Sequence, residues 1–193
     1  ARALPIYQTT SFVFDSAEHA ASLFNLQTFG NVYSRLSNPT VAALEERVAA
    51  LEGGRAALAS ASGMAAEAMA LMTILQQGDH VVAAGALYGG SVSMLSVNLA
   101  KFGISTSFVD ATKPDAFAEA VLPNTRAFFA ESLGNPSLVM LDIAAVAEVA
   151  HGHGLPLIID NTVPSPYLCN PIALGADIVV HSATKYLGGH GTA

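Results

Sequence analysis

From Ala56 onward the chain repeats one unit: a short apolar run, a turn, then a stretch of helix length. The runs fall at 56–60, 80–84, 104–109, 126–131, 156–160 and 177–181, with only a shorter loop before the last. Strands that alternate with helical segments pack as a largely parallel α/β sheet with helices on both faces, because each parallel pairing needs a crossover. Ile178, Val179 and Val180 are consecutive and β-branched, the pattern of a strand buried on both faces. Ligands of such sheets sit beyond the carboxyl ends of the strands. The residues that follow each run are therefore the place to look for a site.

The segment before the repeat is organised differently. Residues 1–14 lack a helical period and read as an extended arm, and Ser16 is placed to cap a helix running to about Phe29. A polar turn from Gly30 leads to Asn38 and Pro39, an N-cap and first-turn pair that opens a second helix. Val41, Leu44, Val48 and Leu51 give that helix one stripe expected to be buried, and Gly53 stops it. Tyr33 and Arg35 then project from the turn. Arg35 is either a solvated charge or an anion contact whose fork of donors matches phosphate or carboxylate oxygens. These features divide the chain into an arm and helical segment, 1–54, and an α/β domain, 55–193.

The rim of the predicted sheet carries a varied chemistry. After the first run, Ser62, Gly63 and Met64 open an apolar helix whose N-terminal N–H groups can cradle an anion. They match neither the three-glycine dinucleotide fingerprint nor a P-loop. After the second run comes Tyr88-Gly-Gly, a ring that either covers a flat ligand or packs on the sheet edge. The third run ends at Asp110, expected to cap the segment from Thr112. Glu131 ends the fourth, followed by Asn135-Pro136, a turn former as well as a rim amide. Asp160 ends the fifth, with Thr162 just beyond it, and a carboxylate there needs a cation or several donors.

The last run leads into Ser182-Ala-Thr184-Lys185. Lys101 precedes Gly103 at a helix end and Lys113 sits beside Pro114 in a turn, so Lys185 is the one lysine of three that follows an apolar strand. It is either a surface lysine in a loop or, if burial lowers its pKa, a nucleophilic amine able to form a Schiff base. His151 and His153 fall at a helix C-terminus without enough neighbouring ligands for a metal. Cys169 has no cationic partner in sequence and reads as packing.

Composition narrows the function classes. The chain is 52% hydrophobic and 12% charged, which suggests surface buried against another chain or another part of the same one. Fifteen Asp and Glu against eight Lys and Arg argue against a nucleic-acid partner, and one cysteine excludes an internal disulfide framework. No apolar run approaches the roughly 18 residues of a membrane span, so the expectation is a cytoplasmic protein acting on small molecules.

An aspartate, a hydroxyl-flanked lysine, a Ser-Gly helix start and a tyrosine are what pyridoxal 5′-phosphate chemistry requires: a partner for the ring nitrogen, an amine for the aldehyde, donors for the phosphate and a ring-face contact. Tyr33-Ser-Arg35, Asn38-Pro39-Thr40, Ser62-Gly63-Met64, Tyr88-Gly-Gly90, Asp160-Asn-Thr162 and Ser182-Ala-Thr184-Lys185 together resemble the motifs of the Cys/Met-metabolism family of fold type I pyridoxal-phosphate enzymes. The resemblance covers nearly the whole chain. It implies the large domain of that fold, a mostly parallel sheet preceded by the arm and helices, with the family's C-terminal domain and its substrate-carboxylate arginine absent from this chain.

Glu131-Ser-Leu-Gly-Asn135-Pro136, Pro166-Tyr-Leu-Cys169-Asn-Pro171 and Gly175 to Ser182 look most like O-acetylhomoserine sulfhydrylases. Met64 stands where many of them carry glutamine, and Val163 where phenylalanine is common. The resemblance implies γ-replacement on O-acetyl-L-homoserine with sulfide or a thiol, giving homocysteine or methionine and acetate. A methionine γ-lyase, a cystathionine γ-synthase or O-succinylhomoserine sulfhydrylase, and an inactive α/β scaffold are the alternatives. Lys185 would hold the cofactor and move protons, Asp160 would serve the ring nitrogen, Thr162 would be a further cofactor contact, Tyr88 would stack, and Asn135 would meet the ring hydroxyl. Ser62, Gly63, Met64, Ser182 and Thr184 would hold the phosphate. Tyr33 and Arg35 would reach the phosphate of a neighbouring subunit, in a homo-oligomer of shared sites assembled as a tetramer.

Overall fold

A computed structural model describes residues 3–191. The first two residues of the expected arm and the last two of the expected α/β domain lie outside that range. The chain divides into two compact units, the residues up to Ala50 together with Gly54–Ala59, and Leu51–Gly53 together with the residues from Ser60 on.

In the first unit the arm is extended, and its pairing is confined to an antiparallel bridge between Ser11 and Tyr33. Helix α1 (Ala17–Phe24) starts as expected, with Ser16 Oγ accepting from His19 N at 3.1 Å. It ends five residues short of Phe29. Asn25 turns its N–H back to Ala21 and Leu26 adopts a left-handed φ of 56°, so the helical ladder stops there. Helix α2 (Pro39–Glu52) opens on Asn38, whose Oδ1 accepts from Thr40 N at 2.9 Å, and closes at Gly53 with φ +70°.

The apolar stripe of α2 is not buried: Val41, Leu44 and Leu51 are 40, 47 and 53% exposed and Val48 is half-buried. Among the described residues no other element of its own unit packs extensively against it. The run at 56–60 is loop rather than strand. It is mostly alanine, with no β-branched residue to favour a pleated surface. Its Ala59 N–H goes to Glu45 Oε1 at 2.7 Å instead of to a ladder, and Leu58 is exposed.

The other five runs form one parallel sheet in the second unit: β1 (His80–Ala84), β2 (Ser105–Val109), β3 (Thr125–Glu131), β4 (Leu157–Asp160) and β5 (Ile178–Val180), in the order β2-β1-β3-β4-β5. The chain runs outward from β1 to β2, then crosses back to β3 and on to β5. With right-handed crossovers that reversal puts helices on opposite faces. Accordingly α3 (Gly63–Ile74) packs with α4 (Gly89–Ser93) and over β3 and β5, while α5 (Pro114–Glu119) packs on α6 (Ile143–Gly152).

The central strands are the core. Val81, Val82, Phe128, Phe129, Leu157, Ile158 and Ile159 are fully buried, and Phe117 of α5 meets Phe128 with ring centroids 5.5 Å apart. β5 is less buried than its run of β-branched residues suggests, because it is an edge strand with β4 as its neighbour. Asp110 closes a local turn, accepting from both Thr112 N and Thr112 Oγ1, while Lys113 precedes α5. A short helix α7 (Ser165–Leu168) and a 3-10 turn fill the β4–β5 connection. Among the described residues no helix is long and apolar enough to cross a membrane.

Candidate active site

The carboxyl ends of β1, β3, β4 and β5 converge on one rim. At its centre Asp160 Oδ1 accepts from Thr162 N at 2.9 Å and from Thr162 Oγ1 at 2.5 Å. Thr162 Oγ1 in turn accepts from Ser182 N at 2.8 Å. The Ser182 and Thr184 hydroxyls lie 3.2 Å apart, and Lys185 Nζ donates to Thr184 Oγ1 at 3.0 Å. An unbroken series of contacts thus runs from the amine of Lys185 to the carboxylate of Asp160. Thr162 is the bridge in that series, its hydroxyl committed to holding Asp160.

Lys185 is not buried as the sequence argument supposed. It is exposed, because it lies five residues beyond the end of an edge strand, on a turn closed by Lys185 N to Ser182 O and Gly188 N to Ala183 O. Its placement is set by that turn rather than by enclosure.

The start of α3 faces the same turn. Ser62 caps the helix, its Oγ accepting from Ala65 N at 3.1 Å, and Ala66 N bonds to Ser62 O. The N–H groups of Gly63 and Met64 are left free of the helical ladder, as the first donors of any helix are. A Cβ on Gly63 would lie 2.6 Å from Ser182 Cβ and 3.0 Å from Ser182 Cα, so only glycine lets the turn come this close. Two backbone donors and the hydroxyls of Ser182 and Thr184 thereby meet at one place. Tyr88, half exposed, folds its ring beside Gly90, where a Cβ would stand 2.5 Å from Tyr88 Cε1 and 3.1 Å from Met64 Sδ.

Two buried carboxyls support this rim. Glu131 Oε1 accepts from Tyr88 N at 2.6 Å and Oε2 from Asn135 N at 3.0 Å, so one side chain fixes two rim loops. Burial, with the charge of Asp160 adding to it, pushes the Glu131 carboxyl up to about 7. Asn135 itself is exposed. Glu67, which the sequence reading passed over, lies on α3 beneath the rim, 2% exposed, and accepts from Ser91 Oγ at 3.0 Å. Its signal was available: it is the lone charge in the otherwise apolar stretch from Gly63 to Leu71.

A second buried group was also missed. Glu52 Oε1 pairs with His181 Nε2 at 2.5 Å and accepts from Asn161 Nδ2 at 3.1 Å, and Asn161 Oδ1 accepts from Ser132 Oγ at 2.8 Å. This network ties the ends of β3, β4 and β5 together behind the rim. Cys169 is half-buried against the core, its thiol pushed up by burial and by Glu52, as suits a packing residue. His151 is engaged by Asp177 at 2.9 Å, and the described residues contain no cluster able to hold a metal.

Tyr33 and Arg35 belong to the other unit. There Arg35 lies over the Tyr33 ring, 5.5 Å from its centroid, and both side chains are exposed. The turn that carries them is pinned to the arm. Buried Asn38 donates to Tyr7 O and Ser34 Oγ, and Thr40 Oγ1 accepts from Tyr7 N and donates to Pro5 O.

An amine, a carboxylate, an aromatic face and an anion cradle on one rim of a parallel sheet are the donor set of a pyridoxal-phosphate site, and the free N–H groups at the start of α3 with the hydroxyls of Ser182 and Thr184 suit a phosphate. The profile of the Cys/Met metabolism PLP-dependent enzyme family matches residues 1–193, and the chain belongs to that family. It is 60% identical over 191 residues to an O-acetyl-L-homoserine sulfhydrylase of Leptospira meyeri, covering 99% of this chain and 43% of the relative. Against a homocysteine/cysteine synthase of Saccharomyces cerevisiae it is 46% identical, covering 99% and 43%. The crystal structure of a protein assigned as an O-acetylhomoserine (thiol)-lyase from Campylobacter jejuni, with N′-pyridoxyl-lysine-5′-monophosphate, superposes with a TM-score of 0.96 at 42% identity, covering 100% and 48%. The chain thus spans less than half the length of the relatives it matches.

Proposed function

We propose that this chain is the cofactor-binding part of an enzyme that replaces the γ-acetoxy group of O-acetyl-L-homoserine with sulfide or a thiol. The observation that carries the reading is the series of contacts joining Lys185 to Asp160 through Thr184, Ser182 and Thr162. The activities named for its relatives support it. When bound, pyridoxal phosphate supplies an aldehyde for an amine to capture and a ring that takes up carbanion charge.

The chain's own residues do the rest. The Lys185 amine is the nucleophile that would fasten the aldehyde, and afterwards the base and acid that move protons at the substrate's α and β carbons. Asp160, oriented by Thr162, would accept from the ring nitrogen and hold its proton in place. Gly63 N, Met64 N, Ser182 and Thr184 would bind the phosphate, with the Ser62 hydroxyl beside them. Tyr88 would cover the ring face, and Asn135 would reach the ring hydroxyl. Acetate leaves from the γ carbon and hydrogen sulfide takes its place, giving homocysteine.

Residues 55–193 form the cofactor-binding domain in this reading, with residues 1–54 as a separate arm and helical segment. We place the protein in the cytoplasm, without nucleic-acid or membrane partners, on its acidic, single-cysteine composition, and as a tetramer built from dimers with shared sites. The assay that tests the function supplies the intact protein with O-acetyl- or O-succinylhomoserine, each with sulfide or cysteine. Homocysteine from the acetyl ester and sulfide is expected to dominate. Preferential turnover of the succinyl ester, or release of a keto acid without sulfide uptake, overturns the reading.

Tyr33 and Arg35, exposed on a turn of the first unit, are assigned to the phosphate of the neighbouring subunit. Arg35→Ala and Lys185→Ala should each be inactive alone yet regain about a quarter of wild-type activity when mixed and allowed to exchange. Half of randomly paired dimers are hybrids with one good site of two. Proven exchange with no recovery places Arg35 in its own chain's site.

A further inference from the structure

Glu67 presents an unresolved charge. One carboxyl oxygen accepts from Ser91 Oγ, while the other, Oε2, is buried with no hydrogen-bond partner. The Asp160 carboxyl is the neighbour of Glu67, raising its pKa both by charge and by hydrogen bonding. Two carboxylates cannot share that contact while both are ionised, because each is an acceptor and like charges repel in a dry site. One proton between them removes the repulsion and gives Oε2 its partner.

The geometry points to Glu67 as the member that keeps the proton: it donates its O–H to Asp160 and so acts as a positioning residue for the carboxylate that meets the ring nitrogen. Its environment agrees. Burial, with the charges of Asp160 and Glu131 adding to it, pushes Glu67 up to about 8 against the bond from Ser91. The groups facing it are Asp160 at the end of β4, Glu131 at the end of β3 and Ser91 on α4, while β5 contributes only Ile178–Val180, none of which titrates. Asp160, whose Oδ1 is already occupied by Thr162, is thereby gripped from two sides, by a hydroxyl from its own loop and by an acid from α3. Because α3 also begins at the phosphate cradle, one helix would set both the phosphate end and the nitrogen end of the cofactor.

This inference rests on the cofactor assignment but not on the substrate, so its test begins without turnover. In a Glu131→Gln background, which removes the other raised carboxyl, infrared spectra of the intact, cofactor-loaded protein should show a protonated-carboxyl C=O band at pH 7 that titrates away as pH rises through about 8 and disappears when Glu67→Gln is added. Linkage gives a second readout in the cofactor-free protein. The folded-state value lies above the ordinary 4.5, so this carboxyl's contribution to stability is complete below 4.5 and is lost as pH rises through about 8. Glu67→Gln should therefore flatten the fall of the denaturation midpoint across that range.

In turnover, Glu67→Gln keeps a donor toward Asp160 and should stay within about threefold of wild type. Glu67→Leu, neutral but without a donor, should lower kcat about tenfold to a hundredfold at unchanged KM, the loss of one hydrogen bond to a charged partner. In the Glu131→Gln background, a missing infrared band or one that persists after Glu67→Gln is added overturns the assignment, as does a folded, loaded Glu67→Leu protein with wild-type kcat. If wild type turns over neither ester while the band behaves as stated, the substrate reading fails and the Glu67 assignment stands.

Discussion

Lys185→Ala in the intact protein should remove the visible absorbance of amine-bound cofactor and lower turnover by about 10⁴-fold or more, since one amine serves as both nucleophile and proton carrier. The phosphate donors of Gly63, Met64, Ser182 and Thr184 are untouched by the change, so the cofactor should still bind and leave on dialysis. Borohydride treatment followed by peptide mapping is the decisive measurement. Cofactor fixed to any other lysine in the variant, with activity retained, would sink the role of Lys185. Lys113 is engaged by Asp110 at 3.3 Å, and Lys101 ends a 3-10 turn capped by left-handed Gly103; neither belongs to the rim.

Asp160→Asn is the second large effect expected. Asparagine keeps the shape and can still accept from Thr162, so the fold of the rim should survive, but the charge that holds a proton on the ring nitrogen is gone. A lost charge partner in a dry, preorganised site costs about 4 kcal/mol, or on the order of 10³ in kcat. Absorbance spectra should show cofactor still bound, with KM for the ester little changed. Near-normal kcat in a cofactor-loaded Asp160→Asn protein would refute the pairing.

The parts of this molecule that were readable in the sequence are those whose local pattern is also their tertiary role. The middles of β1, β3 and β4 are apolar because both faces are covered there, and Ser16, Asn38, Ser62 and Gly53 act within four residues of themselves as caps or stops. Where a residue's role depends on what lies opposite, the pattern misleads. The alanines at 56–60 look apolar but supply no strand propensity, and the stripe of α2 has the right spacing but no layer against it in its own unit. Lys185 follows an apolar run, yet an edge strand and a turn leave it open to solvent. Glu67 stood out as a lone charge in an apolar helix, but its role, like that of the Glu52–His181 pair, depends on a partner 93 or 129 residues away in sequence. The rim residues fared better because strand ends are locatable from pattern alone.

The close approach at Gly63 bears on how this protein can vary. With no room for a Cβ between the start of α3 and the backbone of Ser182, the helix and the lysine-bearing turn are one mechanical part. A substitution at 63 cannot weaken the anion cradle alone; it displaces the backbone three residues before the reactive amine. Mutational drift at this position therefore has no graded path.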